Sequence, residues 1–175
     1  MTNILIQNGY VLTMDEQYTV YDPGWVWVER DRVQAVGPGQ PPADFSNRAE
    51  RVIQAEYMAV LPGLVNGHTH LSQSFMRGLG DDKTLLHWLK TVVWPLQAAI
   101  TPDEMRLASL LGLVENLRCG VTSVVQHHKI TTSPAHVDAV AEAAQVVGLR
   151  LRLARGWVDL GVRSHQVGLV TSPGC

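Results

Sequence analysis

Beyond Pro62 the chain reads strand, helix, strand, helix, strand, and this order narrows the possible architectures more than any other feature. Leu64-Val65-Asn66-Gly67-His68-Thr69-His70-Leu71 begins as an apolar strand and ends in polar residues. Leu85, Leu86, Leu89, Val92, Val93 and Leu96 then recur at spacings of three and four, the period of a helix face. Pro95 is placed to kink or end that helix, because it offers no N–H. Thr101-Pro102-Asp103-Glu104 reads as a capping box with proline at the first helical position. Leu107, Leu110, Leu111, Val114 and Leu117 carry the helical pattern to Cys119-Gly120, where the glycine is a natural stop. Val121 to Val125 reads as a strand, Ser133-Pro134 opens a helix ending at Gly148, and Leu149 to Leu153 reads as another strand. Strands joined through helices of this length pair in parallel, in a sheet covered by those helices.

The first sixty-one residues follow a different grammar. Ile4-Leu5-Ile6, then Asn8-Gly9, then Tyr10-Val11-Leu12 predicts a hairpin with a tight turn. Trp25 to Glu29, a turn at Asp31, and Val33 to Val36 predict a second hairpin. Gly37 to Ala43 holds three prolines and two glycines and is expected to be loop. Val52-Ile53 and Met58 to Leu61 supply further strand material, and no helix is expected in this part. The division is thus a small β unit over 1–61 and about three βα units over 62–175. A closed (β/α)8 barrel takes roughly 250 residues, more than this chain offers.

Composition limits the partners. An apolar share of 46% lets enough surface be buried to offset chain entropy, which excludes disorder. A formal net charge of −2 with no basic block argues against nucleic acid and anionic membrane surfaces. No apolar run approaches the roughly 20 residues that span a bilayer. MTNILIQNGY lacks the basic start and apolar core of a signal peptide. The two cysteines, Cys119 and Cys175, suit a reducing compartment, so a cytoplasmic location is expected.

His68 and His70 carry the chemistry. Side chains alternate along a strand, so this pair is expected on one face. At the C-terminal end of a parallel strand that face opens into the mouth of a barrel. Two neutral imidazoles there can bind Zn²⁺ or a related divalent ion. The run from Leu61-Pro62-Gly63 through His68-Thr69-His70-Leu71, after a β unit and before βα repeats, resembles the amidohydrolase superfamily. Gln73 to Asp82, Leu86-His87-Trp88-Leu89, Trp94-Pro95-Leu96 and Arg118 to Val124 are similar to one branch of it. That branch includes S-adenosylhomocysteine deaminases, atrazine and N-ethylammeline chlorohydrolases and 8-oxoguanine deaminases. The similarity extends to about Asp159.

The resemblance implies the N-terminal part of a (β/α)8 barrel preceded by a β-sandwich portion. It also implies a metal-dependent hydrolase of non-peptide carbon–nitrogen bonds, deaminating or dechlorinating a purine or triazine-like heterocycle. His68 and His70 match two ligands of one divalent metal, zinc first and iron as the other candidate. The further ligands, a His each from strands five and six and an Asp from strand eight, and a proton-handling Glu, find no counterpart in this sequence. His165-Gln166-Val167 lacks the His-x-x-Glu arrangement, and the tail from Val162 to Cys175 departs from the expected continuation. Truncation, a frameshift and a partial gene product are all open as causes. A homo-oligomeric full-length form is expected. The alternative is a non-catalytic remnant or interaction fragment of such an enzyme.

Four further residues are candidates for contact with a small heterocyclic substrate. Gln73 lies three residues past the histidine pair. Trp88 could stack its indole on a ring, with core packing as its competing role. His127 and His128 follow the second parallel strand, where alternation sends one to the mouth and one away; His128 is taken as the pocket residue. Arg155 ends the third strand. His87 and His136 are expected on solvated helix faces, and Asp81-Asp82 in a solvated loop.

Overall fold

Ile4–Leu12 (β1) runs as one strand straight through Asn8-Gly9 instead of turning back as a hairpin. Asn8 takes a φ of 62°, and the register against the next strand shifts on both sides of Gly9. The left-handed residue therefore makes a bulge, which bends a strand without ending it. A Cβ on Gly9 would stand 2.7 Å from Val60 Cγ2, so the glycine also lets the neighbouring chain close in. These features come from a computed structural model, which describes residues 2–129 and 133–156. The tail from Val162 to Cys175, His165 included, lies outside the described residues, as does Asp159.

The chain divides into two units, Met1–Pro62 and Gly63–Cys175. In the first, Val20–Glu29 (β2), Arg32–Pro38 (β3), Arg51–Gln54 (β4) and Ala59–Val60 (β5) join β1 in one sheet. The order is β3-β2-β1-β4, with β5 also on β1; β2 pairs antiparallel with both neighbours, and β4 and β5 lie parallel to β1. One element departs from the all-β expectation, a helix over Ala43–Arg48 (α1). Its short length hides it from periodicity, but tertiary partners stabilise it. Phe45 stacks on Trp27 with ring centroids 5.0 Å apart, and Arg48 bonds both Asp44 (3.1 Å) and Glu29 (2.7 Å). Leu5, Trp25 and Trp27 form the buried centre of this unit.

The second unit is a parallel sheet of Leu64–Thr69 (β6), Val121–His128 (β7) and Arg150–Arg155 (β8), in that order. After β6 come a 3-10 turn over Leu71–Met76 and a helical run of Leu85–Trp88 (α2), a π segment Leu89–Val93 and Trp94–Ala99 (α3). The irregularity expected at Pro95 appears just before it: the Trp94 N–H bonds the Leu89 carbonyl five residues back, and Pro95 sits in the first turn of α3.

Pro102–Arg118 (α4) is closed at its start by the capping box, Glu104 N–H to Thr101 Oγ1 at 3.2 Å and Thr101 N–H to Glu104 Oε2 at 2.8 Å. Gly120 follows with a φ of 79°. Pro134–Val147 (α5) ends at Gly148, φ 78°, before β8. The core joins Leu71, Met105, Leu113, Val124, Ala139, Val140 and Ala143.

The facing of α4 differs from the sequence expectation. Of the apolar stripe only Leu110 packs on the core, whereas Leu107, Leu111, Val114 and Leu117 are exposed. The buried face is Met105, Ala108, Ser109, Gly112 and Leu113. Its small residues let the helix lie close to the 3-10 turn, which side-chain hydrophobicity alone does not reveal.

Candidate metal centre

The histidine pair owes its direction to a bulge. β6 pairs with β7 through Val65↔Ser123, Asn66↔Val124 and Thr69↔Gln126, so β6 advances three residues where β7 advances two. Val124, Gln126 and His128 form the buried, helix-facing row of β7. Asn66 belongs to that row, and its side-chain amide donates to Asn116 Oδ1 of α4 at 2.8 Å. Unbroken alternation from Asn66 would send His68 and His70 the same way. The extra residue reverses the parity and turns both histidines to the open face, beside His127.

Their geometry suits a shared cation. His68 Nε2 lies 3.2 Å from His70 Nε2, and His70 Nδ1 lies 2.8 Å from the His127 carbonyl oxygen. A carbonyl only accepts, so the hydrogen-bond network assigns the proton of neutral His70 to Nδ1 and leaves the Nε2 lone pair toward His68. Nitrogens about 2.0–2.1 Å from one tetrahedral ion stand about 3.4 Å apart, which the pair nearly matches. Burial pushes the His70 imidazole below its ordinary pKa, and the charges of Lys129, His68 and His127 act in the same direction. The bond to the His127 carbonyl opposes them. The favoured neutral ring is the form that ligates.

The ring of His127 stands by this pair, its centroid 5.2 Å from that of His70 and 5.9 Å from that of His68. One nitrogen from each of the three lies within 4.8 Å of the others. Alternation along the strand makes His127 and His128 rivals, with His128 expected at the pocket. The structure puts His128 in the opposite row, 1% exposed, so His127 is the one beside the pair. Arg155 pairs in register with His128 and shares that row, while Ala154 lies opposite His127. Gln73 begins one bond from the site, its N–H on the His70 carbonyl at 2.9 Å. Trp88 packs with Met76, Val92 and Val93, its indole against Gly80.

His136 and Gln126 have surroundings that their sequence context does not announce. His136 is 6% exposed and not solvated: Nε2 meets the Ile100 carbonyl at 2.9 Å and Nδ1 meets Ser133 Oγ at 2.9 Å, tying the start of α5 to the chain before α4. Gln126, buried, accepts the Leu71 N–H at 2.8 Å and so anchors the residue right after His70. Its strand, VTSVVQHH, carries other polar residues on both sides, so nothing in the sequence singles Gln126 out. His87, Asp81 and Asp82 are exposed, as expected.

Comparison with known proteins adds to this geometry. Residues 59–171, more than half of the chain, match the pattern of the Amidohydrolase family. The chain is 34% identical over 160 residues to a 5'-deoxyadenosine deaminase of Methanosarcina barkeri, covering 91% of this chain and 34% of that protein. It is 35% identical over 161 residues to a 5-methylthioadenosine/S-adenosylhomocysteine deaminase of Bacillus cereus, covering 91% and 36%. Among solved structures, a mutant atrazine chlorohydrolase of Arthrobacter aurescens TC1 complexed with zinc and atraton superposes with a TM-score of 0.78 at 29% identity, over 90% of this chain and 36% of that one. The chain thus spans about a third of the length of these relatives. With this match, and the histidine pair at the C-terminal end of its first parallel strand, the chain belongs to the Amidohydrolase family.

Proposed function

We propose that this sequence is part of a metal-dependent hydrolase of non-peptide carbon–nitrogen bonds, one that removes an amino group or chloride from a purine or triazine-like heterocycle. The observation that carries the reading is the 3.2 Å approach of His68 Nε2 and His70 Nε2, with the His70 tautomer set by a main-chain carbonyl. The deaminase and chlorohydrolase relatives support the substrate class. His68 and His70 would hold one divalent ion, zinc in preference to iron, a choice supported by the zinc in the chlorohydrolase structure. When bound, such an ion supplies Lewis acidity and brings the ionisation of water near neutral pH. The chain's own contribution is orientation: the His127 carbonyl fixes the His70 ring, and Gln126 holds Leu71 behind it. Among the substrate-facing candidates we favour Gln73, a reading supported by its backbone N–H on the His70 carbonyl. A cytoplasmic, homo-oligomeric full-length protein with no nucleic-acid or membrane partner completes the proposal. The near-neutral charge supports it, and among the described residues no helix is long and apolar enough to cross a membrane.

In the complete protein, His68→Ala and His70→Ala should each lose bound metal and drop turnover to background. His87→Ala, on an exposed helix position, should change neither. Elemental analysis, alongside ammonia or chloride release from adenosine-type, guanine-type and triazine substrates, makes the measurement. A His68→Ala protein that keeps one ion per chain and near-parental turnover would overturn the reading.

A second reading has one observation in its favour. Among the described residues the cluster holds three histidines and no carboxylate, so no carboxylate base is part of it. The 175-residue chain alone would then bind an ion, or another chain, without turning substrate over. Ammonia release by that chain above a metal-only background, abolished by His68→Ala, would sink it.

A further inference from the structure

We infer that His127 is a third imidazole donor, so that β6 and β7 together form a three-histidine site for one divalent transition-metal ion. This rests on the metal-dependent reading of His68 and His70 and extends it to a residue on a different strand.

Three observations carry it. First, the bulge in β6 and the alternation of β7 bring all three rings to one face of the sheet, with a nitrogen of each within 4.8 Å of the others. Second, the main chain at 127 is tied to the pair, because its carbonyl accepts the His70 Nδ1 proton at 2.8 Å. The ring of His127 therefore starts from a fixed base beside the other two. Third, the residue nearest the ring across the sheet end brings no side chain against it. Gly156, bonded through its N–H to the His128 carbonyl at 2.7 Å, has no side chain, and a Cβ there would lie 3.6 Å from His127 Nε2.

Closing from the present spread to the about 3.4 Å of a tetrahedral donor set asks His127 for a ring shift on the order of 1 Å. A half-buried imidazole makes such a shift by small changes in its side-chain torsions. Chemistry points the same way. Three imidazoles on one face, with no carboxylate in the cluster, gain nothing from one another as cations. A divalent cation converts their three lone pairs into attraction. Nitrogen-only donors select zinc, iron, cobalt, nickel or copper over magnesium and calcium. Three protein ligands also leave a fourth position open, the pattern of catalytic and not structural zinc sites.

The test uses the 175-residue chain stripped of metal and titrated with Zn²⁺ or Co²⁺ alone, by calorimetry and by equilibrium dialysis with elemental analysis. The parent should take up one ion per chain, and the Co²⁺ form should show the intense visible absorption of a low-coordinate nitrogen site. His127→Ala and His127→Gln should each weaken binding by more than about tenfold, a loss beyond the lower end of what outer-shell partners give. His87→Ala should bind as the parent does. If His68→Ala and His70→Ala lose the ion while both His127 variants bind at parental affinity, the inference fails and the two-histidine reading stands. If no histidine variant changes affinity, or the parent binds no ion, both fail. A second measurement needs no variant: nitrogen NMR of the imidazole rings in the parent chain. Added Zn²⁺ should shift the ring nitrogens of three histidines together, and a response confined to two would overturn the inference even if the His127 variants fail to fold.

Discussion

At Gly112, in the middle of α4, an added Cβ would lie 2.7 Å from Ser74 Oγ and 2.9 Å from Leu71 Cδ2. Serine can rotate away; Leu71, buried and held by Gln126 directly after His70, cannot easily do so. Two effects compete in Gly112→Ala. Alanine favours a helix over glycine by about 1 kcal/mol, and overpacking a core costs roughly 1–3 kcal/mol. Overpacking should win, with a net loss of about 1 kcal/mol and a Tm lower by roughly 2–4 °C in a chain of this size. Thermal melting followed by circular dichroism reads it; a Tm at or above the parent's would show that the turn yields instead. His136 is a second case in which environment overrides residue type. Its two ring contacts, to Ser133 and Ile100, explain why a histidine is buried in a helix otherwise lined by alanine and valine.

Among the elements, α4 has the start signal most fully realised in the structure. Thr101 and Glu104 satisfy each other's N–H groups, and Thr101 Oγ1 also donates to Glu104 Oε2 at 2.8 Å. Thr101→Ala should cost roughly 1 kcal/mol, the usual worth of such a cap, and should lower the denaturant midpoint with no change in m-value. The hydrogen bond from the Thr101 backbone N–H, and then that from its hydroxyl, hold the Glu104 carboxyl below its ordinary pKa. A depressed folded-state pKa stabilises above the unfolded value and loses that contribution as pH falls through the folded one. The penalty of Thr101→Ala should therefore be full at neutral pH and shrink on acidification below the ordinary glutamate range. A penalty that grows on acidification would contradict the assignment.

At the scale of the molecule, the second unit leaves apolar surface uncovered. Leu107, Leu111, Val114 and Leu117 form an exposed stripe on α4, and Leu64 and Val65 are exposed on β6. Among the described residues β6 and β8 are the two edges of a three-stranded parallel sheet. Parallel sheets are stable when both faces are covered, and open edges with apolar patches recruit other chains. The 175-residue chain should therefore self-associate and bind a hydrophobic dye. Size-exclusion chromatography with light scattering should give a mass above one chain. A monodisperse monomer with no dye binding and a single cooperative melt would refute this.

Features whose physics is local are legible in the amino-acid sequence. The capping box, the left-handed glycines after α4 and α5, and the alternation of strands and helices beyond Pro62 each depend on short stretches of sequence, and each appears where expected. Tertiary structure decided what faces what. Asn8-Gly9 became a bulge because β1 continues between β2 and two parallel partners. α4 buried Ala108, Ser109 and Gly112 with Met105 and Leu113 and left Leu107, Leu111, Val114 and Leu117 outside, because close approach to Leu71 and Ser74 needs small residues on that face. His127 joined the pair in place of His128 because one extra residue in β6 reset the parity against a strand more than fifty residues away; the contact between His70 and His127 spans 57 positions. Periodicity records which residues alternate along one strand. Which of the two faces receives them is set by its register with a neighbour, and that register exists only once the strands have paired.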